Sequence, residues 1–204
     1  MYLWGSNKFG QLGRTSKPRF LIPNGLKLTQ SISKISCGLN FTLALTQEGK
    51  VMSAGDNSQN QLGGIREGNS HEFHQIEIFE KTKVKITRID AGAHSLAITD
   101  KGSLYLWGKT PIGSFSSPNK QTLITTPVID GSVGISVTGL LDVKGKVWVM
   151  NESSDNKTAF LINKHLSNKV SSITCGGNHI IMKGSDVPIQ PSNTEYAHNM
   201  KSKI

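Results

Sequence analysis

The chain has 204 residues, 36% of them hydrophobic, with 21 glycines and a formal net charge of +9. That balance suits turn-dense β architecture and excludes a disordered polymer poor in apolar residues. No stretch approaches the roughly 20 apolar residues of a membrane helix, and Met1-Tyr2-Leu3-Trp4-Gly5 lacks a basic, apolar leader, so neither a span nor a secretory signal is expected.

In chain order, a short aromatic strand, Tyr2-Leu3-Trp4-Gly5, runs into Ser6-Asn7-Lys8-Phe9-Gly10-Gln11-Leu12-Gly13. Next comes Ile35-Ser36-Cys37-Gly38-Leu39-Asn40-Phe41-Thr42-Leu43-Ala44-Leu45, whose apolar residues alternate with small or polar ones as a half-buried strand requires. The phrase returns at Ile89–Ile98, in worn form at Gly134–Leu141, and at Ile173–Ile181. Polar turns closed by Gly49, Gly102 and Gly145 follow the first three copies, 53 and 43 residues apart. Glycine ending such a loop fits a hairpin residue at positive φ. The strands after the turns begin Val51-Met52, Leu104-Tyr105-Leu106-Trp107-Gly108 and Val147-Trp148. A period of this size marks an array of supersecondary units, none able to bury its apolar face alone. The expected fold is all-β, without a helix of convincing length. No Trp-Asp dipeptide closes a unit, which argues against the forty-residue propeller repeat.

Two copies carry the Gly-Gln-Leu-Gly element, Gly10-Gln11-Leu12-Gly13 and, with asparagine at its first position, Asn60-Gln61-Leu62-Gly63 after Gly55-Asp56-Asn57-Ser58-Gln59. Together with the Cys-Gly phrase, they make residues 1–183 resemble the regulator of chromosome condensation family of β-propellers. The third copy keeps one glycine of the element, in Trp107-Gly108-Lys109-Thr110-Pro111-Ile112-Gly113, and the fourth, after Met150-Asn151, has lost it. The family's histidine falls at His94 and His179, and is Phe41 and Val137 in the other copies. The resemblance implies about four four-stranded antiparallel blades over residues 1–184. The family's usual ring has seven, so both an open arc and a small closed ring remain open. Residues 185–204, polar and carrying Pro188 and Pro191, are expected to form a flexible tail.

Cys37 and Cys175 occupy one repeat position and read as small buried residues, consistent with a reducing, cytoplasmic or nuclear location. His94 and His179 are expected to hydrogen-bond between blades. His71-Glu72-Phe73-His74 lacks the ligand number of a structural zinc site, so no metal and no cofactor is assigned. Lys81, Lys83 and Lys85, with Arg88, read as a basic strand with the lysines on one face. Such a ladder either meets phosphate or an acidic protein, or guards an outer strand against edge pairing.

No nucleophile elbow, phosphate loop or paired-carboxylate motif is present, so no catalytic residue is assigned. The family resemblance implies three functional classes: a protein-interaction scaffold, guanine-nucleotide exchange on a small GTPase, and a chromatin or nucleic-acid module. The reading adopted is a non-catalytic scaffold, with Lys8, Phe9, Gln59, Asn60 and Lys109 as partner-binding candidates in the inter-strand loops. A protein partner, including a small GTPase, is favoured over nucleic acid, and no membrane insertion is expected.

Overall fold

Among the described residues, alternation of apolar and small residues resolves into sixteen short strands and one short helix. This computed structural model describes residues 1–64, 68–151, 159–162 and 170–184, and the tail expected at 185–204 lies outside them. An N-terminal pair joins β1 (Tyr2–Ser6) to β2 (Arg19–Gly25). The first complete blade holds β3 (Ile32–Cys37), β4 (Phe41–Thr46), β5 (Val51–Gly55) and β6 (Ser70–Gln75). Helix α1 (Glu77–Lys81) leads to the second, made of β7 (Ile86–Ala91), β8 (Ser95–Thr99), β9 (Leu104–Thr110) and β10 (Gly113–Lys120). The third holds β11 (Val128–Val133), β12 (Val137–Asp142), β13 (Val147–Asn151) and β14 (Phe160–Leu161). The C-terminal pair is β15 (Val170–Cys175) with β16 (Ile180–Gly184).

Within each sheet, sequence neighbours pair antiparallel. The expected turn glycines sit in equivalent hairpins, with φ of +85° at Gly49, +75° at Gly102 and +76° at Gly145. The residue opening each turn caps it. Thr46 Oγ1 accepts from Lys50 N, Thr99 Oγ1 from Lys101 N and Ser103 N, and Asp142 Oδ1 from Lys144 N and Lys146 N.

The core lies between blades. Phe41, Leu43 and Leu45 of β4 pack with Ile86 and Ile89 of β7 and with Trp107. Leu96 and Ile98 of β8 pack with Val128, Val133 and Leu140, and Val137 and Leu141 with Val170 and Ile173. Strands β4, β5, β8 and β12 are buried along their whole length and carry no charge except Asp142, whose carboxylate the turn amides satisfy. The N-terminal pair corresponds to the last two strands of a blade and the C-terminal pair to the first two. They lie in separate sheets, so the arc is open.

Two expectations are corrected. Residues 81–88 are not one basic strand: Lys81 ends α1, Lys83 turns at φ +53°, Lys85 precedes β7, and Arg88 alone is in a strand. Ile76 and Phe79, three apart, are both buried, and that helical spacing outweighs the lysine alternation. Val84 N donates to Phe79 O and Lys83 N to Glu80 O, closing the helix in a Schellman-type cap. The cysteines are not both buried. Cys37 is exposed, because no inner strand pair precedes it, and Cys175 is half-buried.

Candidate protein-interaction face

Antiparallel alternation puts the loops joining first to second and third to fourth strands at one end of every blade. Asp56 N donating to Asn40 O across 2.9 Å confirms that these two loop types adjoin. Lys8 and Phe9 lie in the β1–β2 loop, Gln59 and Asn60 in the β5–β6 loop, and Lys109 at the end of β9. All five belong to this upper end. Lys81, Lys83 and Lys85, in the connection from β6 to β7, belong to the lower end, and Arg88 lies on β7 above them. The two candidate sets therefore do not form one surface.

The upper loops share an internal frame. Asn7 Oδ1 accepts from Leu12 N at 3.0 Å and Asn57 Oδ1 from Leu62 N at 3.1 Å. Gln11 Oε1 accepts from Phe9 N and Gln61 Oε1 from Gln59 N, at 3.0 and 2.8 Å. Asn60 takes φ +60° where its counterpart Gly10 takes +86°, a position asparagine tolerates better than most residues. Gln59 and Asn60 are exposed. Phe9 is half-buried, with the Lys8 ammonium 5.6 Å from its ring centroid, so the pair presents an aromatic face under a cation. Lys109 is exposed opposite Ser114.

The same loops brace the next blade. Gln11 O accepts from Thr42 Oγ1 at 2.7 Å, while Gln61 O accepts from Ser95 Oγ at 2.7 Å and Trp107 Nε1 at 2.8 Å. In the third blade Thr138 Oγ1 instead lies 3.1 Å from His94 Nε2. Burial holds the His94 imidazole down at about 4, so it is neutral at pH 7. This is the inter-blade role expected of His94. His179 does not share it: exposed, its ring covers Gly176.

One structural position went unread in the sequence. Ser36 Oγ donates to Asp90 Oδ1 at 2.8 Å and accepts from Ala91 N at 3.0 Å, and Asp90 Oδ2 accepts from Val133 N at 2.7 Å. Ser132 Oγ accepts from Cys175 N at 3.0 Å. The signal was a small polar residue two before each glycine of the repeat phrase. Beside it, Leu39 N, Ala93 N and Ile135 N donate to the carbonyls of Gly92, Gly134 and Gly177, one blade on. Partial burial pushes the Cys175 thiol up, and its Sγ–H donates to Ser132 O at 3.1 Å, so it is a seam residue and not a nucleophile.

At the lower end, Lys81 is held by Glu77 at 2.8 Å. Their hydrogen bond raises the Lys81 ammonium and lowers the Glu77 carboxyl. His71 and His74 lie on β6, both exposed. Among the described residues no group of three metal-ligating side chains forms, and no helix is long and apolar enough to cross a membrane.

Two models for the regulator of chromosome condensation (RCC1) repeat match, one over residues 1–45 and one over residues 32–61. Mouse (Mus musculus) X-linked retinitis pigmentosa GTPase regulator is 35% identical over 126 residues, 60% of this chain and 12% of the relative. Ultraviolet-B receptor UVR8 of Arabidopsis thaliana is 37% identical over 160 residues, 73% of this chain and 36% of the receptor. The chain thus spans a minor part of these relatives. Among solved structures, human WBSCR16 superposes with a TM-score of 0.78 at 18% identity, over 90% of this chain and 54% of that one. Prp20p from Saccharomyces cerevisiae gives 0.76 at 19% identity, over 98% and 55%. Repeat phrases, blade topology and these matches agree: the chain belongs to the regulator of chromosome condensation (RCC1) repeat family.

Proposed function

We propose that this chain is a non-catalytic protein-binding module whose partner meets the upper end of the blades. The observation that carries this reading is the frame of Asn7, Gln11, Asn57 and Gln61, which fixes two loop backbones while leaving Lys8, Gln59 and Asn60 to solvent, with Lys109 exposed at the same end. Rigid support beneath variable, exposed side chains is what a recognition surface needs. Phe9 under Lys8 supplies its aromatic anchor. The test is retention of specific partners from cell extract by the purified chain, with loss of that retention in the Lys8→Glu/Phe9→Ala variant at unchanged β-sheet spectrum. Equal retention by the variant would remove these residues from the interface.

A second reading, nucleotide exchange on a small GTPase, draws support from Prp20p, described with its binding properties to Gsp1p and histones. Labelled GDP release from a panel of small GTPases separates the two. Acceleration by substoichiometric chain would replace the scaffold reading with exchange.

A further inference from the structure

We infer that the lower end of the third blade carries a separate docking site, which takes an acidic protein segment bearing an aliphatic side chain. The site stands on a departure from an arrangement repeated along the arc. Each inner strand has a bulge at the same place, between Ile32 and Lys34, Ile86 and Arg88, Val128 and Asp130, and Val170 and Ser172. A bulge re-aims the side chain of its unpaired residue. In three of the strands that residue carries a hydroxyl bonded to the neighbouring strand. Ser33 Oγ donates to Leu45 O at 3.0 Å, Thr87 Oγ1 to Ile98 O at 3.3 Å and Ser171 Oγ to Lys183 O at 3.1 Å. The third blade has Ile129 there, which forfeits that bond and is 44% exposed.

A second departure falls beside the first. The residue after each turn-opening Thr46, Thr99 or Asp142 is Gln47, Asp100 or Val143, and its amide donates to Ser31 O, Lys85 O or Pro127 O. Val143 is the apolar one of the three, and it is 56% exposed. Ile129, Val143 and Pro127 together line one hollow of about 560 Å³. Strand β11 lies between β7 and β15, so an inner strand flanks Ile129 on either side and the opening does not arise from the ends of the arc. Both changes turn apolar surface to water where the counterparts turn polar groups, so local folding does not account for them.

Charge specifies the occupant. Arg88 and Lys101 line the same hollow, both exposed and neither in an ion pair among the described residues. Lys144 and Lys146, in the turn with Val143, are exposed as well. The acid lining the hollow is Asp100. Asp142 Oδ1 accepts from Lys144 N and Lys146 N, so the backbone under Val143 is already fixed and binding need not order it. In such an arrangement an aliphatic anchor on the apolar centre supplies affinity, and flanking carboxylates on the cations supply orientation. A nucleic acid would leave Ile129 and Val143 unmatched, and the hollow has no aromatic side chain for a base to stack on. The site lies at the opposite end of the blades from Lys8, Phe9, Gln59 and Asn60, and it does not depend on them.

The experiment is binding of the full chain to an array of labelled peptides in which Leu or Ile is flanked by Asp or Glu. Control sets replace the acids by Gln, or the aliphatic residues by Ser. The acidic-aliphatic peptides should be captured and the control sets should not. In solution, fluorescence anisotropy of the best-captured peptide should show binding weakened about tenfold or more in Ile129→Thr and in Arg88→Glu/Lys101→Glu. Ile129→Thr restores the residue type of the other blades, so its melting temperature should equal or exceed that of the wild type. That separates lost binding from lost folding. Lys8→Glu/Phe9→Ala should bind the peptide as the wild type does, whatever becomes of the upper-end partner. The proposal would be overturned by an array without a captured peptide, by equal capture of the Ser set (a purely electrostatic or nucleic-acid surface), or by self-association that Ile129→Thr abolishes. Unchanged affinity or a lower melting temperature in Ile129→Thr would overturn it too.

Discussion

His94 Nε2 and Thr138 Oγ1 meet 3.1 Å apart across the boundary between the second and third blades, where both residues are buried. Burial brings the imidazole from its usual value near 6.5 to about 4. A folded-state value below the unfolded one favours the native state fully above pH 6.5 and progressively less as pH falls toward 4. The loss amounts to about 3 kcal/mol at most. Denaturant unfolding across this window should show it. His94→Phe, which copies Phe41, should lower stability at pH 7 by leaving Thr138 without this partner, yet flatten the acid slope.

A methyl at Gly92 would press into the carbonyl of Val133, which is backbone of the next blade, whereas at Gly177 the nearest atom is Ile135 Cδ1 at 3.5 Å. Gly92→Ala should therefore destabilise by roughly 2 kcal/mol and Gly177→Ala by much less. Paired thermal unfolding of the two variants decides it. Equal effects would mean the blade seam relaxes freely.

Lys83 occupies the left-handed C-terminal position of α1 at φ +53°. Lys83→Gly should stabilise the chain by about 1 kcal/mol, because glycine takes that conformation without steric cost. Were residues 81–85 a strand with guarding lysines, the same change would destabilise. Chemical denaturation reads the sign.

Asp142 Oδ2 accepts from Thr126 Oγ1 at 2.7 Å and Trp148 Nε1 at 3.0 Å, in addition to its two turn amides. Burial alone would raise this carboxyl, but the Thr126 and Trp148 donors and the Lys146 and Lys144 amides outweigh it and hold it low. Its contribution is complete above the usual carboxylate range and is lost as pH falls through the depressed value. Asp142→Ala strands the donors and should cost about 3 kcal/mol, with a shift in Trp148 fluorescence.

Periodicity carried the sequence reading where every copy shares one geometry. The turn glycines at 49, 102 and 145 were legible because positive φ leaves glycine as the cheap choice. The basic segment failed for the opposite reason. Lys81-Thr82-Lys83-Val84-Lys85 alternates as a strand would, and only the placement of Ile76 and Phe79 against Trp107 shows that a helical turn fits better. Cys37 was misread because its burial depends on strands from another chain segment, which local pattern cannot reveal. Ser36, Asp90 and Ser132 are chemically unlike enough to hide a shared task. The candidate loops were legible as loops, but their separation from the lysines required strand direction.

Leu39, Ala93 and Ile135 all donate forward along the chain, so the three seams they close have the same polarity and each blade is held only by its neighbours. Mechanical load therefore passes through the seams in series. The seam between the first two complete blades is keyed by Phe79 set edge-on to Tyr105 and Trp107, while the last depends on aliphatic side chains around Val137 and Ile173. Pulled from its termini, the chain should first shed β1 and β2, which contribute no residue to the three core clusters, and then yield in separate steps, as a zip runs from its looser end.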